Sequence, residues 1–261
     1  MIDLNIVVPI GVSSPGTPIP IYFVKCIESL KEQDTSYKVK LTIAADDNVH
    51  EDIPKWAIDH GCNVSFYEPY SFMRRGSIWK KIHNEWNKVD SKYIAFCHYD
   101  DFWSSNKVES QLSLMEKYEY GITWSKVRIT DPTGFPISQD MSIHNILTKD
   151  TLYQPTHTFC HASILNKEKF LATGIGKLVD DSACVYEDLQ YILSHKLEGM
   201  KVPESTFFHR EHGNSVRAQF CSEKDFMKEQ RIIANYSMKD GEDDAAKIDL
   251  HHLRERVRYE L

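Results

Sequence analysis

Apolar, β-branched runs in the first hundred residues stop abruptly, and two of them stop on acids. Asn5 to Ile10 (NIVVPI) is closed by Pro9 and Gly11, as expected for a buried strand. Val39 to Ala44 (VKLTIA) runs straight into Asp46-Asp47-Asn48. Asn63 to Tyr67 is a third short run, and Tyr93 to Cys97 (YIAFC) ends in His98-Tyr99-Asp100-Asp101. Between the runs, Val24, Ile27 and Leu30 mark one helix face; Ile78, Ile82 and Trp86 predict a helix over Ser77 to Asn87. Strands alternating with helices predict an α/β fold with a parallel, doubly wound sheet. Such sheets bind ligands outside the carboxyl ends of their strands. Asp and Asn are common turn formers after strands, which is the competing reading of each acidic pair alone. Two pairs delivered to one sheet edge favour a site.

Farther on, Asn106-Lys107-Val108-Glu109 resembles a capping box, followed by an amphipathic helix through Val108, Leu112 and Met115. Gly121 to Ile129 reads as a strand. Phe135 to Thr151 is polar and irregular, a length that in a compact domain marks a functional or mobile loop. Tyr186-Glu187-Asp188 precedes a helix through Leu189, Ile192, Leu193 and Leu197. Phe207 to Arg217 (FFHREHGNSVR) is dense in His, Arg and Ser. Residues 218–261 read as a helical extension. There Phe226, Ile232, Ile233 and Tyr236 form one apolar set, and Leu250, Leu253 and Val257 another. Glu242, Asp243 and Asp244 open the last helix and Arg254, Arg256 and Arg258 close it, in accord with the helix dipole. Its apolar face suits packing on the core, ahead of a homodimer or a membrane surface.

At 261 residues the chain makes one large domain or one domain with a helical appendage. With 41% hydrophobic and 26% charged residues it can bury a real core. A formal charge of −7 disfavours nucleic acid as a partner. Cys26, Cys62, Cys97, Cys160, Cys184 and Cys221 are spread without a C-x-x-C pair, so they read as reduced thiols and point to a cytoplasmic location. Met1 to Asn5 has no basic region of the signal-peptide kind. No run approaches the ~20 apolar residues that span a bilayer.

Asp100 and Asp101 are the candidates for a divalent cation and a diphosphate, since Mg2+ and Mn2+ take oxygen ligands and often keep only one or two carboxylates beside phosphate and water. Asp47, or in its place Asp46, could accept a hydrogen bond from a base or ribose. Arg74 and Arg75, just before a helix, could pair with phosphate, or simply be solvated. Asp188 is the candidate general base, against the alternative of an acid placed at a helix N-terminus.

Over roughly residues 5 to 217 these features, in this order, resemble a family 2 glycosyltransferase of the GT-A fold. The matching positions are a first strand ending near Pro9, a second ending in Asp46-Asp47-Asn48, and Asn84 on a helix ahead of YIAFC. They continue with the acidic motif Tyr99-Asp100-Asp101-Phe102-Trp103, Gly174, Glu187-Asp188-Leu189, and His209-Arg210-Glu211-His212-Gly213-Asn214-Ser215. The resemblance implies a Rossmann-like, mostly parallel central sheet flanked by helices, and a GT-A domain over 1–217 followed by 218–261. The donor half would be about 1–103 and the acceptor half about 104–217. It implies sugar transfer from a nucleotide-diphosphate sugar, a UDP-sugar first, to a carbohydrate or glycolipid hydroxyl, inverting and with Mn2+ or Mg2+. It places Pro9, Asp46, Asp47, Arg74, Arg75, Asp100 and His212 at the donor, Asp100, Asp101 and His209 at the metal, and Asp188 as base. The 135–151 loop, Trp124 and Tyr153 would wall the acceptor.

Two departures stand out. His98 replaces the first acid of the family's D-x-D-D pattern, and Gly11 to Pro20 is longer and richer in proline than the usual turn. His98 favours a second reading, a binding protein of the same fold without turnover; Asp188 opposes it. A zinc site from His157, Cys160, His161, His209 and His212 ranks lower, because no H-E-x-x-H arrangement is present. A nucleotidyltransferase would carry a basic, glycine-rich loop after the first strand, and Gly11 to Pro20 has no Lys or Arg.

Overall fold

The computed structural model describes residues 2–11, 19–68, 76–139, 146–147, 161–173 and 197–211. The first half alternates strands and helices: β1 (Ile2–Ile10), α1 (Ile21–Lys31), β2 (Val39–Asp46), α2 (Asp52–Asp59), β3 (Asn63–Tyr67), α3 (Gly76–Lys88) and β4 (Ser91–Phe96). The second half holds β5 (Phe102–Trp103), α4 (Lys107–Tyr118), β6 (Ile122–Thr130), β7 (Ile146–Leu147), β8 (Ser163–Asn166), α5 (Lys167–Ala172) and β9 (Gly199–Arg210). One sheet runs in the order β3-β2-β1-β4-β8-β6-β9-β5, with β7 on β9. It is parallel from β3 to β4 and mixed beyond, where β8 is antiparallel to both β4 and β6 while β6 and β9 run parallel. No helix among the described residues is long and apolar enough to cross a membrane.

β1 lies between β2 and β4, and every residue from Leu4 to Ile10 is buried. That two-sided burial explains why it reads as an unbroken apolar run instead of an alternating one. The single polar residue of that buried stretch, Asn5, donates to the Glu85 carbonyl and accepts from Thr42 Oγ1, so no buried amide is left over. On α3, Trp79, Ile82 and Trp86 enter the core, each such side chain contributing roughly 1.5–3 kcal/mol of transfer free energy. Lys81, His83 and Glu85 of the same helix are buried too, which its sequence periodicity does not suggest.

Several expectations change in detail. The buried face of α1 is Phe23, Cys26, Ile27 and Leu30; Val24 sits at its margin, because Phe23 carries more surface into the core. The capping box does not form. Asn106 donates to the Glu204 carbonyl and accepts from Ser104, while Glu109 turns to Thr35 and Ser36. Trp124 is 2% exposed in the middle of β6, a core residue and not an acceptor wall. Helix α2 carries Pro54 and spans only two turns, and the proline is tolerated because first-turn N–H groups have no intrahelical partner. The Phe135–Thr151 stretch is irregular where described, except for a bridge between Thr130 and Pro136 and the short β7.

β9 was not expected as a strand, since Pro203 and Glu204 interrupt its pattern. Its register with β6 jumps from Ser125–Val202 to Lys126–Thr206, so Pro203 to Ser205 bulge out of the ladder where proline has no N–H to give. Beyond the bulge, Phe207 and Phe208 pair with Trp103 and Phe102 of β5, and Phe102 and Phe208 stack at 4.6 Å. The start of β9 depends on Gly199, where a Cβ would collide with the Ile122 carbonyl oxygen on β6. Backbone cannot swing aside as a side-chain tip can. Gly199→Ala is therefore expected to cost about 3 kcal/mol, the upper part of the overpacking range, measured as a shift in the urea midpoint.

Candidate active site

The parallel half of the sheet ends along one edge in β2, β1 and β4, and the acids found in the sequence lie there. Cys97 N–H donates to the Val7 carbonyl, and Asp101 N–H donates back to the His98 carbonyl at 3.1 Å, closing a turn over His98 to Asp101. Cys26 of α1 supports that turn by donating from Sγ to the His98 carbonyl at 3.3 Å. Among the described residues Cys26, Cys62 and Cys97 are free thiols.

Asp101 is 0% exposed. Its Oδ1 accepts from the Arg210 backbone N–H at 3.0 Å and from His209 Nδ1 at 3.1 Å, while Oδ2 is buried without a hydrogen-bond partner. A buried carboxylate with half its acceptor capacity unspent is costly unless a cation or ligand completes it. Burial alone would lower His209, but the charge and hydrogen bond of Asp101, with the charges of Asp100 and Glu211, raise it to about 9. His209 is thus an imidazolium at neutral pH. Asp100, beside it, keeps partial solvent access.

Arg210 is 1% exposed. Its guanidinium lies 4.6 Å from the Tyr22 ring and 5.3 Å from the Phe102 ring, and Nη1 donates to the Pro132 carbonyl at 3.3 Å. One residue thereby ties α1, β5 and the 131–134 turn to the strand whose N–H holds Asp101. Neither the charge nor the reach of Arg210 was singled out from sequence; its place in the His209-Arg210-Glu211 run was the only signal.

His98 packs edge-on against His161 at 4.6 Å and Phe96 at 5.7 Å. Burial lowers His98, with Asp100 and Asp101 opposing, and it lowers His161 further. The three histidines set a pH profile of opposite limbs. The unfolded chain binds protons near the ordinary 6.5 that folded His161 and His98 refuse, so their stability is lost as pH falls below 6.5. His209 adds stability below 6.5 that is lost as pH rises through about 9. With chelator present, the thermal midpoint is expected to peak near pH 6.5, and His161→Phe to flatten only the acid limb.

Two strands away, at the end of β2, Asp46 is buried and pairs with Lys81 of α3, whereas Asp47 is exposed and held through its N–H to the Tyr67 carbonyl at 2.8 Å. Pro9 is buried inside β1, opposite Ala44. Arg74, Arg75, Asp188 and His212 lie outside the described residues, as do His157, Cys160 and Tyr153. Among the described residues no group of three or more His, Cys, Asp or Glu could by itself hold a metal ion. The unpartnered Asp101 Oδ2 with Asp100 next to it fits a hard cation that draws its remaining oxygens from phosphate and water.

The model of the family described as Glycosyl transferase family 2 matches residues 21–174, more than half of the chain and inclusive of both acidic strand ends. The chain belongs to glycosyl transferase family 2. A search of curated protein sequences finds no match. Among solved structures, S. aureus TarS 1-349 in complex with UDP-GlcNAc superposes with a TM-score of 0.67 at 13% identity, over 89% of this chain and 66% of that one. GalNAc-T7 with UDP, GalNAc and Mn2+ superposes with a TM-score of 0.59 at 11% identity, over 81% of this chain and 44% of that one. The chain thus spans less than two thirds of the length of the solved structures it matches. At these identities the likeness is one of fold, and it agrees with a GT-A sheet that is parallel from β3 to β4. The acidic turn after β4 lies within the matched segment.

Proposed function

We propose that this family 2 glycosyltransferase moves a sugar from a uridine diphosphate sugar to a hydroxyl of a carbohydrate or glycolipid acceptor, by a single inverting displacement. The observation that carries the reading is the buried Asp101, clamped by His209 and the Arg210 N–H, with Oδ2 unspent at the carboxyl edge of the sheet. Solved neighbours of the same fold hold UDP-GlcNAc, or UDP with Mn2+, which supports a nucleotide-sugar donor and a divalent ion.

Asp101 and Asp100 would hold Mn2+ or Mg2+, which when bound neutralises charge that develops on the departing diphosphate. His209, protonated next to Asp101, can donate to a phosphate oxygen; a cation on Asp101 would instead lower its affinity for that proton. The Arg210 N–H holds Asp101 in place. The ends of β2 and β4 are two strand spacings apart, roughly 10 Å. That separation suits a nucleobase at Asp46 and a diphosphate at the 98–101 turn. Asp188 would take the acceptor proton, with Arg74, Arg75 and His212 joining on the phosphates. The domain over 1–217 would do this chemistry in the cytoplasm, with 218–261 as a helical extension.

Calorimetric titration of wild type and Asp101→Ala with UDP, GDP and CDP, with and without Mn2+, tests the proposal. UDP is expected to bind wild type in the presence of metal, and the mutant to lose that binding. A folded wild-type protein that binds no nucleoside diphosphate under either condition sinks it.

A further inference from the structure

Lys81 is an odd residue for its position. It lies on α3 between the buried Trp79 and Ile82, its side chain is 3% exposed, and a lysine so placed must find an anion or lose its charge. Its Nζ donates to Oδ1 of Asp46, the acid that ends β2. The other oxygen is left differently. Among the described residues none donates to Asp46 Oδ2, the Asp46 side chain retains 11% exposure, and Oδ2 points toward Gly11 at the end of β1. A Cβ added at Gly11 would stand 2.8 Å from it. The ion pair therefore fixes the carboxylate at one oxygen and offers the second where the neighbouring strand has no side chain.

We propose that Lys81 is the positioning residue that sets nucleobase selectivity, by committing one oxygen of Asp46 and leaving a single acceptor for the base. This rests on the donor-site reading above, with the base at the end of β2. A lone carboxylate oxygen matches the one N–H of uracil, at N3. Cytosine carries a lone pair at N3, where uracil has its N–H, and its own donor, the N4 amino group, is displaced from that position. Guanine presents two adjacent N–H donors, at N1 and N2, and needs both carboxylate oxygens to satisfy them. A carboxylate without Lys81 could turn and receive guanine in bidentate fashion. Lys81 thus disfavours guanine by occupying Oδ1, and by fixing Oδ2 it holds the acceptor at the position of the uracil N3–H and away from the cytosine amino group. Asp46 would touch the base; Lys81 acts only through it.

The test is calorimetry of UDP, CDP and GDP on wild type, Lys81→Gln, Lys81→Met and Lys81→Arg, each first shown to be folded by its thermal transition. Wild type is expected to bind UDP about tenfold or more tightly than GDP or CDP. In Lys81→Gln and Lys81→Met the UDP-to-GDP ratio is expected to fall to about threefold or less, and Lys81→Arg to restore much of it. A structural role alone would weaken all three nucleotides in parallel and leave the ratios unchanged, and that outcome overturns the inference. Wild type that binds GDP or CDP as well as UDP overturns it without any variant. Wild type that binds none of the three removes the donor-site reading itself.

Discussion

Asp101→Asn is expected to lower kcat/KM by about 10²–10³-fold and to abolish metal-dependent binding of UDP. Asparagine keeps the size of the side chain and can still accept from the Arg210 N–H, so the turn over His98 to Asp101 should persist. The negative charge is lost, and with it the partner that holds His209 protonated and the oxygen aimed at a cation. Replacing the charge without emptying the space avoids much of the cost of breaking a buried ion pair, about 3–5 kcal/mol when one partner is simply removed. The measurement is steady-state transfer with varied Mn2+, beside calorimetry of UDP. Near-normal transfer by a folded Asp101→Asn protein would show that the buried acid is architectural.

Asp188→Asn is expected to fail in the opposite half of the reaction. A carboxamide cannot take a proton from the acceptor hydroxyl, and a general base contributes roughly 10²–10⁴-fold to rate. The loss should fall on kcat, while UDP binding and its metal dependence stay at wild-type values, because base and diphosphate sites are distinct in the proposed reaction. The two substitutions make a discriminating pair: Asp101→Asn loses donor and rate together, whereas Asp188→Asn loses rate alone. Equal loss of UDP binding in both variants would contradict the division of roles. Asp188 lies outside the described residues, so its role rests on the Glu187-Asp188-Leu189 pattern.

How far the sequence could be read depended on how local the cause was. The strands β1, β2 and β4 were legible within one to three residues, because a strand buried on both faces must be continuously apolar and must stop at polar turn formers. The helices α1, α3 and α4 followed from apolar spacing. What failed was contingent on distant partners. Asn106 looked like a cap, yet the carbonyl of Glu204 drew its side chain away. Trp124 looked available to an acceptor, yet β8 and β9 enclose it. β9 was hidden by Pro203 and Glu204, which a bulge absorbs only because β6 continues alongside.

The same distinction runs through the candidate site. Sequence by itself determined that acids would stand at the carboxyl ends of two strands, since the apolar runs and the residues that close them are contiguous in the chain. It also carried enough of the family pattern, in order, to identify a family 2 glycosyltransferase. Only the tertiary structure decided the burial and the partners of those acids. Asp101 meets His209 and Arg210 across 108 and 109 residues of chain, and Asp46 meets Lys81 across 35. Burial and charge pairing depend on which strands lie side by side. That order is set by the packing of the whole sheet, and no local pattern of residues encodes it.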